Sequence, residues 1–265
     1  MLINFYNPNR DKSTMNNIQI IKDIAYTDTN CQECKLDLYI PKDNPTFKTV
    51  IFIHGGGLES GDKKDHEEMG MILAEQGIAF VSPGYRKFPD VDYPVFIEDA
   101  ANAVKWVKDN IQNYGGNKDI FLGGHSAGAY LAMMLAFDTK YLDAVNMNPN
   151  DFSGFIFASG QPTAHMNVLK YSGFKDKKII IDETAALYYV DEKPHNKPML
   201  ILITDNDIPI RLEQTQLFVS TLKFWEYDKV DFRILKNEDH CSYLFNKNKD
   251  DQYPIVNIIN EFVSK

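Results

Sequence analysis

Two hydrophobic patterns alternate along most of this chain, and their alternation restricts the fold more than any other feature of the sequence. Runs of β-branched and aromatic residues at 49–53 and 78–82 are typical of strands buried on both faces of a parallel sheet. Between such runs apolar residues recur at helical spacing, most clearly at 96–112. The alternation predicts an α/β protein whose mostly parallel central sheet is covered by helices on both faces.

The other segments fit the same architecture. Two strands at 18–26 and 35–40, separated by polar residues, predict an N-terminal antiparallel hairpin. Residues 161–196 form a longer connection than a helical crossover needs, and they predict a small cap insertion. Polar residues 1–17 predict a loose leader. We expect one domain over 1–265, which includes this leader and the cap insertion. Further strands are predicted at 120–122, 154–159, 199–204 and 229–235, and helices at 66–76, 127–136, 212–225 and 253–263.

Composition excludes several classes of partner. The chain has 44% hydrophobic residues and a formal net charge of -9, and it lacks the basic clusters typical of nucleic-acid-binding proteins. It also lacks an apolar run of the ~20 residues that would span a bilayer, and a recognisable secretory signal. We therefore expect a cytoplasmic protein that binds neither nucleic acid nor membrane; the oligomeric state is not readable. The acidic balance also disfavours highly anionic substrates.

The chain contains three cysteines. Cys31 and Cys34 have the C-x-x-C spacing of a redox motif or half a zinc site, but a second pair is missing. The odd total argues against a disulfide framework. We interpret these two residues as thiols that flank a turn in the N-terminal hairpin, and we expect no metal site.

The segment from Gly124 to Gly128 fits the pattern G-x-S-x-G, with Ser126 at its centre. The pattern follows a predicted strand and precedes a predicted helix, which is the setting of a nucleophile on a sharp turn. Small flanking residues are needed there because the strand and the helix approach each other closely. Ser126 is therefore the candidate nucleophile.

Residues 54–57 read His-Gly-Gly-Gly directly after a predicted strand. Consecutive glycines suggest a loop that brings its own N–H groups close to a ligand. A phosphate loop is disfavoured, because the G-x-x-x-x-G-K-[ST] pattern is missing and acidic residues follow. We predict an oxyanion hole formed by the amides of Gly56, Gly57 and Ala127.

A serine nucleophile needs a base, which an acid must orient. Of the six histidines, His240 follows the last core strand in K-N-E-D-H-C and is the candidate base; the others are interpreted as surface, core or supporting residues. The candidate acids are Asp205 and Asp207, both at the carboxyl end of the strand at 199–204. Asp207 is preferred because the acid usually lies a few residues into this loop, and Asp205 remains an alternative.

With these motifs the chain resembles the α/β-hydrolase superfamily, in particular its carboxylesterase (esterase/lipase) branch with an H-G-G-G loop. The resemblance runs from Leu36 to the C-terminus and includes G-Y-R at 84–86 and Y-P-V-F-I-E-D at 93–99. It implies an α/β-hydrolase fold, ester hydrolysis through an acyl-enzyme on Ser126, and no cofactor. It further implies a structural contact between Arg86 and Asp99.

The sequence departs from this family at two places. Leu58 stands where an aromatic residue usually follows H-G-G-G, and I-T-D-N-D replaces the usual H-G-x-x-D before the acid. The expected substrate is a small-molecule ester with a short or medium acyl group, such as an acetyl ester. An arylformamidase or amidase and a catalytically inactive binding relative remain alternatives. The aromatic residues of 161–196 could line a pocket or form the core of the cap: Phe174, Tyr188 and Tyr189.

Overall fold

The computed structural model describes residues 17–174 and 178–265. Over these ranges the predicted strands are all present, and the strand that leads to Ser126 extends further toward its N-terminus than predicted. The eight strands are β1 (Ile18–Ala25), β2 (Lys35–Pro41), β3 (Phe47–Ile53), β4 (Ala79–Pro83), β5 (Gly116–His125), β6 (Gly154–Ala158), β7 (Met199–Asn206) and β8 (Val230–Asp239).

The strands form one sheet with the order β1-β2-β4-β3-β5-β6-β7-β8. β1 pairs with β2, and β2 with β4, in antiparallel register; every pairing from β4 to β8 is parallel. The predicted α/β fold with a mostly parallel sheet and an N-terminal antiparallel hairpin is confirmed. Because the carboxyl ends of β3, β5, β6, β7 and β8 lie at one edge, the loops that follow these strands meet there.

Helices cover both faces of the sheet, as predicted. They are α1 (Glu67–Glu75), α2 (Val95–Asn110), α3 (Ala127–Phe137), α4 (Lys140–Asp143), α5 (Met166–Tyr171), α6 (Arg211–Phe224), α7 (Ser242–Phe245) and α8 (Pro254–Ser264). One buried core contains α2, α3 and α6 side chains such as Val104, Leu131 and Phe218. The core on the other face contains Leu73 of α1 and Ile259 of α8. Within the described ranges, we find no helix with the length and apolar character that crossing a membrane requires.

Two predictions about irregular segments stay predictions. The leader at 1–17 lies outside the described residues except for Asn17. Residues 161–196 contain α5 and a 3₁₀ segment, Ala186–Glu192, and their role as a cap stays a prediction.

The interpretation of Cys31 and Cys34 as thiols was wrong. They form a disulfide, with the two Sγ atoms 2.21 Å apart. The turn between β1 and β2 brings their Cα atoms to 5.2 Å, which is within the range that a disulfide bridges. The odd number of cysteines leaves Cys241 as a buried free thiol and does not prevent a local pair.

Candidate active site

Ser126 lies on a strained turn between β5 and α3. Its backbone angles are φ 52° and ψ -116°, a conformation that side-chain-bearing residues rarely adopt and that is concentrated at functional sites. A Cβ at Gly128 would lie 2.0 Å from the Ile53 carbonyl oxygen, and one at Gly124 would lie 2.6 Å from the Gly128 backbone. The two glycines of the G-x-S-x-G pattern therefore allow the close backbone approach that this turn requires.

The imidazole of His240 connects Ser126 to Asp207. Its Nε2 lies 2.9 Å from Ser126 Oγ, and its Nδ1 lies 2.6 Å from Asp207 Oδ1. Ser126 follows β5, Asp207 follows β7 and His240 follows β8. The structure thus brings together, in one hydrogen-bonded chain, three side chains that are up to 114 residues apart in sequence.

Asp207 is buried in a shell of hydrogen-bond donors. Thr204 Oγ1 donates to its Oδ2 at 2.8 Å, and the Ile208 amide donates to its Oδ1 at 2.7 Å. Burial alone would raise the pKa of this carboxyl, but His240 and these two donors outweigh burial and lower the pKa from its ordinary value. Asp207 is therefore ionised at neutral pH and holds the imidazole in one orientation.

Asp205 points elsewhere. Its Oδ1 accepts a hydrogen bond from the Asn237 amide at 2.8 Å, and its Oδ2 lies 3.7 Å from Lys236 Nζ. Both partners lie on β8, so Asp205 joins two neighbouring strands. Of the two candidate acids that the sequence left open, Asp207 contacts His240 and Asp205 contacts β8.

The three amides of the predicted oxyanion hole have no hydrogen-bond acceptor within the described part of the chain: those of Gly56, Gly57 and Ala127. Gly56 has φ 107° and Gly57 has φ 66°, and a Cβ at Gly56 would lie 2.2 Å from the Ser60 carbonyl oxygen. Ala127 begins α3, whose N-terminal dipole favours negative charge at this point. Free amides and the helix dipole together make this a place where a negative oxygen would be stabilised.

Contacts that the sequence did not reveal hold the glycine loop in place. The Tyr85 hydroxyl donates to the His54 carbonyl at 3.0 Å, and the two rings stack at 4.4 Å. On the other side, Asn167 of α5 donates from Nδ2 to the Gly57 carbonyl at 2.6 Å. Glu59 accepts hydrogen bonds from three side chains of α5: Asn167, Lys170 and Tyr171.

A buried histidine pair supports the turn that carries Ser126. His66 Nε2 lies 3.0 Å from His125 Nδ1, and both side chains are buried against aromatic rings. Burial lowers the pKa of His66 to about 3 and the pKa of His125 well below its ordinary value, so both rings are neutral. The sequence predicted a helix at 66–76 that begins at His66; in the structure His66 is the last residue of a 3₁₀ turn, Lys63–His66, and its side chain is buried.

The contact between Arg86 and Asp99 is present. Arg86 donates from Nε and Nη2 to the two carboxylate oxygens at 2.9 and 2.7 Å, and its backbone amide donates to Oδ2 at 3.0 Å. This bidentate pair ties the loop after β4 to α2. Within residues 17–174 and 178–265, no three histidine, cysteine or acidic side chains are grouped so that they could hold a metal ion.

Comparisons with known proteins agree with this fold. The BD-FAE family matches residues 36–156. An isoprenylcysteine alpha-carbonyl methylesterase of Arabidopsis thaliana is 36% identical over 43% of this chain, and the match covers 27% of the methylesterase. Five methylesterases of this kind match over only 21–28% of their own lengths.

Two further proteins match over most of this chain. A kynurenine formamidase of Danio rerio is 24% identical over 93% of the chain and 83% of its own length. The crystal structure of esterase B of Lactobacillus rhamnosis superposes with a TM-score of 0.78 at 20% identity, over 94% of this chain and 86% of the esterase. The sheet order, the turn that carries Ser126 and these similarities lead to one conclusion: the chain belongs to the α/β-hydrolase superfamily, of the esterase/lipase type.

Proposed function

We propose that this protein is a serine hydrolase that cleaves carboxylic esters through an acyl-enzyme on Ser126. The observation that carries the proposal is the hydrogen-bonded chain from Ser126 Oγ through His240 to the buried Asp207 carboxylate. The amides of the glycine loop and of Ala127, which lack acceptors among the described residues, add the donors that an acyl-transfer site needs.

In the first half of the proposed reaction, Ser126 Oγ attacks the acyl carbon while His240 Nε2 accepts the hydroxyl proton. Negative charge develops on the former carbonyl oxygen and is bound by the amides of Gly56, Gly57 and Ala127. Asp207 stabilises the imidazolium that forms. His240 then donates its proton to the leaving alcohol, and the C–O bond of the ester breaks.

In the second half, water replaces the alcohol. His240 Nε2 accepts a proton from water as the water oxygen attacks the acyl carbon of the acyl-enzyme. The tetrahedral oxyanion is bound by the same amides, and the collapse of the intermediate releases the acid and returns the proton to Ser126. The residues named above account for every proton transfer, so this mechanism invokes no metal or organic cofactor.

The preferred substrate class is a small ester with a short or medium acyl group, for example an acetyl ester. The similar isoprenylcysteine methylesterases support ester hydrolysis, and a versiconal hemiacetal acetate esterase among the similar proteins supports a short acyl group. In the same proposal, residues 161–196 act as a small cap, since α5 contacts the glycine loop through Asn167.

Arylformamide hydrolysis is a second candidate function. The similarity to the Danio rerio kynurenine formamidase, which extends over 93% of the chain, favours it. A comparison of kcat/KM for N-formylkynurenine and for phenyl acetate separates the two candidates. Faster turnover of the formamide would replace the ester proposal.

The test of the proposal is the hydrolysis of p-nitrophenyl acetate by the wild type and by Ser126→Ala. We expect at least about a thousandfold loss of kcat/KM in the variant, because the nucleophile is removed. Ser220→Ala removes an exposed hydroxyl on α6 and serves as the matched control, with unchanged activity. A Ser126→Ala protein as active as the wild type would refute the mechanism, and a wild type with no activity toward any ester or formamide would favour an inactive binding relative.

A further inference from the structure

A cavity of about 460 Å³ opens between α5 and the start of α6, beside the loop that carries Asp207. Its walls are mainly apolar, and Ile208, which lines it, directly follows Asp207. Asn167 lines the opposite side and binds the Gly57 carbonyl of the glycine loop. The cavity therefore lies next to both the acid loop and the oxyanion loop. The apolar side chains that line it are Met166, Leu169, Phe174, Ile179, Ile208 and Ile210.

The charged groups of this cavity have one sign. Lys170, Lys178 and Arg211 line it, and among the described lining residues there is no aspartate or glutamate. This is the reverse of the chain as a whole, whose net charge is -9. Glu59 neutralises Lys170 at 2.6 Å, whereas Lys178 lies over the Phe174 ring, 5.1 Å from its centroid. Two cations, Lys178 and Arg211, are thus left without a paired carboxylate in the described structure.

Arg211 is the more unusual of the two. It is 4% exposed, and its guanidinium donates to the Ser159 carbonyl and to Gln161 Oε1, each at 3.0 Å. No described carboxylate lies within ion-pair distance of it. Burial lowers its pKa, and the more distant Asp207 opposes this effect. A guanidinium has five N–H donors and stays protonated in proteins, so buried Arg211 retains donors for an anion.

The first turn of α6 adds to the positive potential. Arg211 is the first residue of this fourteen-residue helix, and no side chain caps its N-terminus. Gln214, one turn later, also lines the cavity and is 9% exposed. Its side-chain amide makes no hydrogen bond to any residue in the described part of the chain. A buried cation, a helix N-terminus and the unpartnered side-chain amide of Gln214 thus converge on one mainly apolar cavity.

We propose that this cavity binds a carboxylate-bearing substrate, with the carboxylate on Arg211 and Gln214 and an aromatic or aliphatic body against the apolar walls. The proposal rests on the proposed hydrolase function, since it assigns this cavity, beside the acid loop and the oxyanion loop, to the substrate of that reaction. The acidic composition of the chain led us to expect that highly anionic substrates are disfavoured. The proposal reverses this expectation, because a ligand in a buried site interacts mainly with the charges that line the site. The bulk charge of the surface acts only weakly at such a place.

The experiment compares matched ester pairs that differ by one carboxylate. In the first pair, p-nitrophenyl hydrogen glutarate and p-nitrophenyl valerate, the carboxylate is on the acyl side. In the second, 4-acetoxybenzoate and its methyl ester, it is on the alcohol side. For the wild type we expect kcat/KM to favour the anionic member of one pair by about tenfold, which is the effect of one charge-assisted hydrogen bond. The favoured pair identifies which side of the ester enters the cavity.

Charge variants test whether the cavity causes the preference. In Arg211→Gln and in Gln214→Glu, which places a carboxylate beside Arg211, we expect the anionic-to-neutral ratio to fall to about one. Lys178→Gln should lower the ratio by a smaller factor. Lys223→Gln removes an exposed cation from the far end of α6 and should leave the ratio unchanged. Should Arg211→Gln fail to fold, Gln214→Glu and Lys178→Gln decide the outcome.

A binding measurement keeps this inference separate from the hydrolase proposal. Calorimetry on Ser126→Ala with glutarate and with 4-hydroxybenzoate should detect binding of at least one carboxylate, and Gln214→Glu in the same background should abolish it. Equal turnover within both pairs together with no binding would overturn the inference and leave Arg211 as a clamp on Ser159 and Gln161. Binding without any ester hydrolysis would support the cavity assignment and refute only the proposed reaction.

Discussion

Replacement of Asp207 by asparagine tests the assignment of the acid. The Ile208 amide donates to Asp207 Oδ1, the atom that also faces His240, so an asparagine oxygen would be kept at this position. Its amide group would then face the Thr204 hydroxyl, which can accept. The imidazole keeps its orientation in this variant, and the substitution removes little except the negative charge.

The expected loss of activity in Asp207→Asn follows from the loss of this negative charge. With the centres of carboxylate and imidazolium about 4 Å apart and an effective dielectric constant of about 20, the attraction is about 4 kcal/mol. This corresponds to a loss of kcat of about a thousandfold in Asp207→Asn. The assay is p-nitrophenyl acetate hydrolysis, with circular dichroism to confirm folding. Asp205→Asn is the matched control, because the Asp205 carboxylate contacts Asn237 and Lys236 of β8, and it should stay within about threefold of the wild type. A loss below tenfold in Asp207→Asn, or a larger loss in Asp205→Asn, would refute the assignment.

Three further predictions concern the turn that carries Ser126, the buried His195 and the glycine loop. Gly128→Ala places a Cβ 2.0 Å from the Ile53 carbonyl oxygen, and we expect more than about 3 kcal/mol of destabilisation; a wild-type thermal midpoint would contradict the turn geometry. Burial lowers the pKa of His195 to about 4, so between about pH 6.5 and 4 the unfolded chain binds more protons and stability falls as the pH falls. Urea titrations at pH 7 and at pH 5 measure the fall in the free energy of unfolding between these two pH values. We expect this fall to be about 2 kcal/mol smaller in His195→Phe than in the wild type, and equal falls would exclude this linkage. Asn167→Ala removes the 2.6 Å hydrogen bond to the Gly57 carbonyl and should lower kcat about tenfold with little change in KM for p-nitrophenyl acetate; a change in KM alone would assign Asn167 to substrate binding only.

The fold was predictable because its signals are local. Continuous apolar runs mark the buried strands, and helical periodicity marks α2, whose predicted ends are within two residues of those observed. The strands' carboxyl ends must meet at one edge of a parallel sheet, so the sequence also indicated that Ser126, Asp207 and His240 lie near each other. Their assignment to catalysis remains a prediction.

What the sequence did not reveal depends on contacts between distant residues. His66 and His125 are 59 residues apart, and Asn167 is 110 residues from Gly57, so no local pattern indicates either hydrogen bond. Arg211 directly precedes the helix predicted at 212–225, and only the folded chain buries it beside a cavity. The local pair of Cys31 and Cys34 was visible, but its state was set by the geometry of the turn.

The proposed mechanism requires Ser126 to be an activated nucleophile. Incubation of the wild-type protein with a fluorophosphonate, followed by intact-mass and peptide mass spectrometry, measures this reactivity. We expect one adduct per chain, located on Ser126, with loss of esterase activity in proportion to labelling and no adduct on Ser126→Ala. The absence of labelling in a folded wild-type protein, or labelling of Ser126→Ala to the same extent, would contradict it.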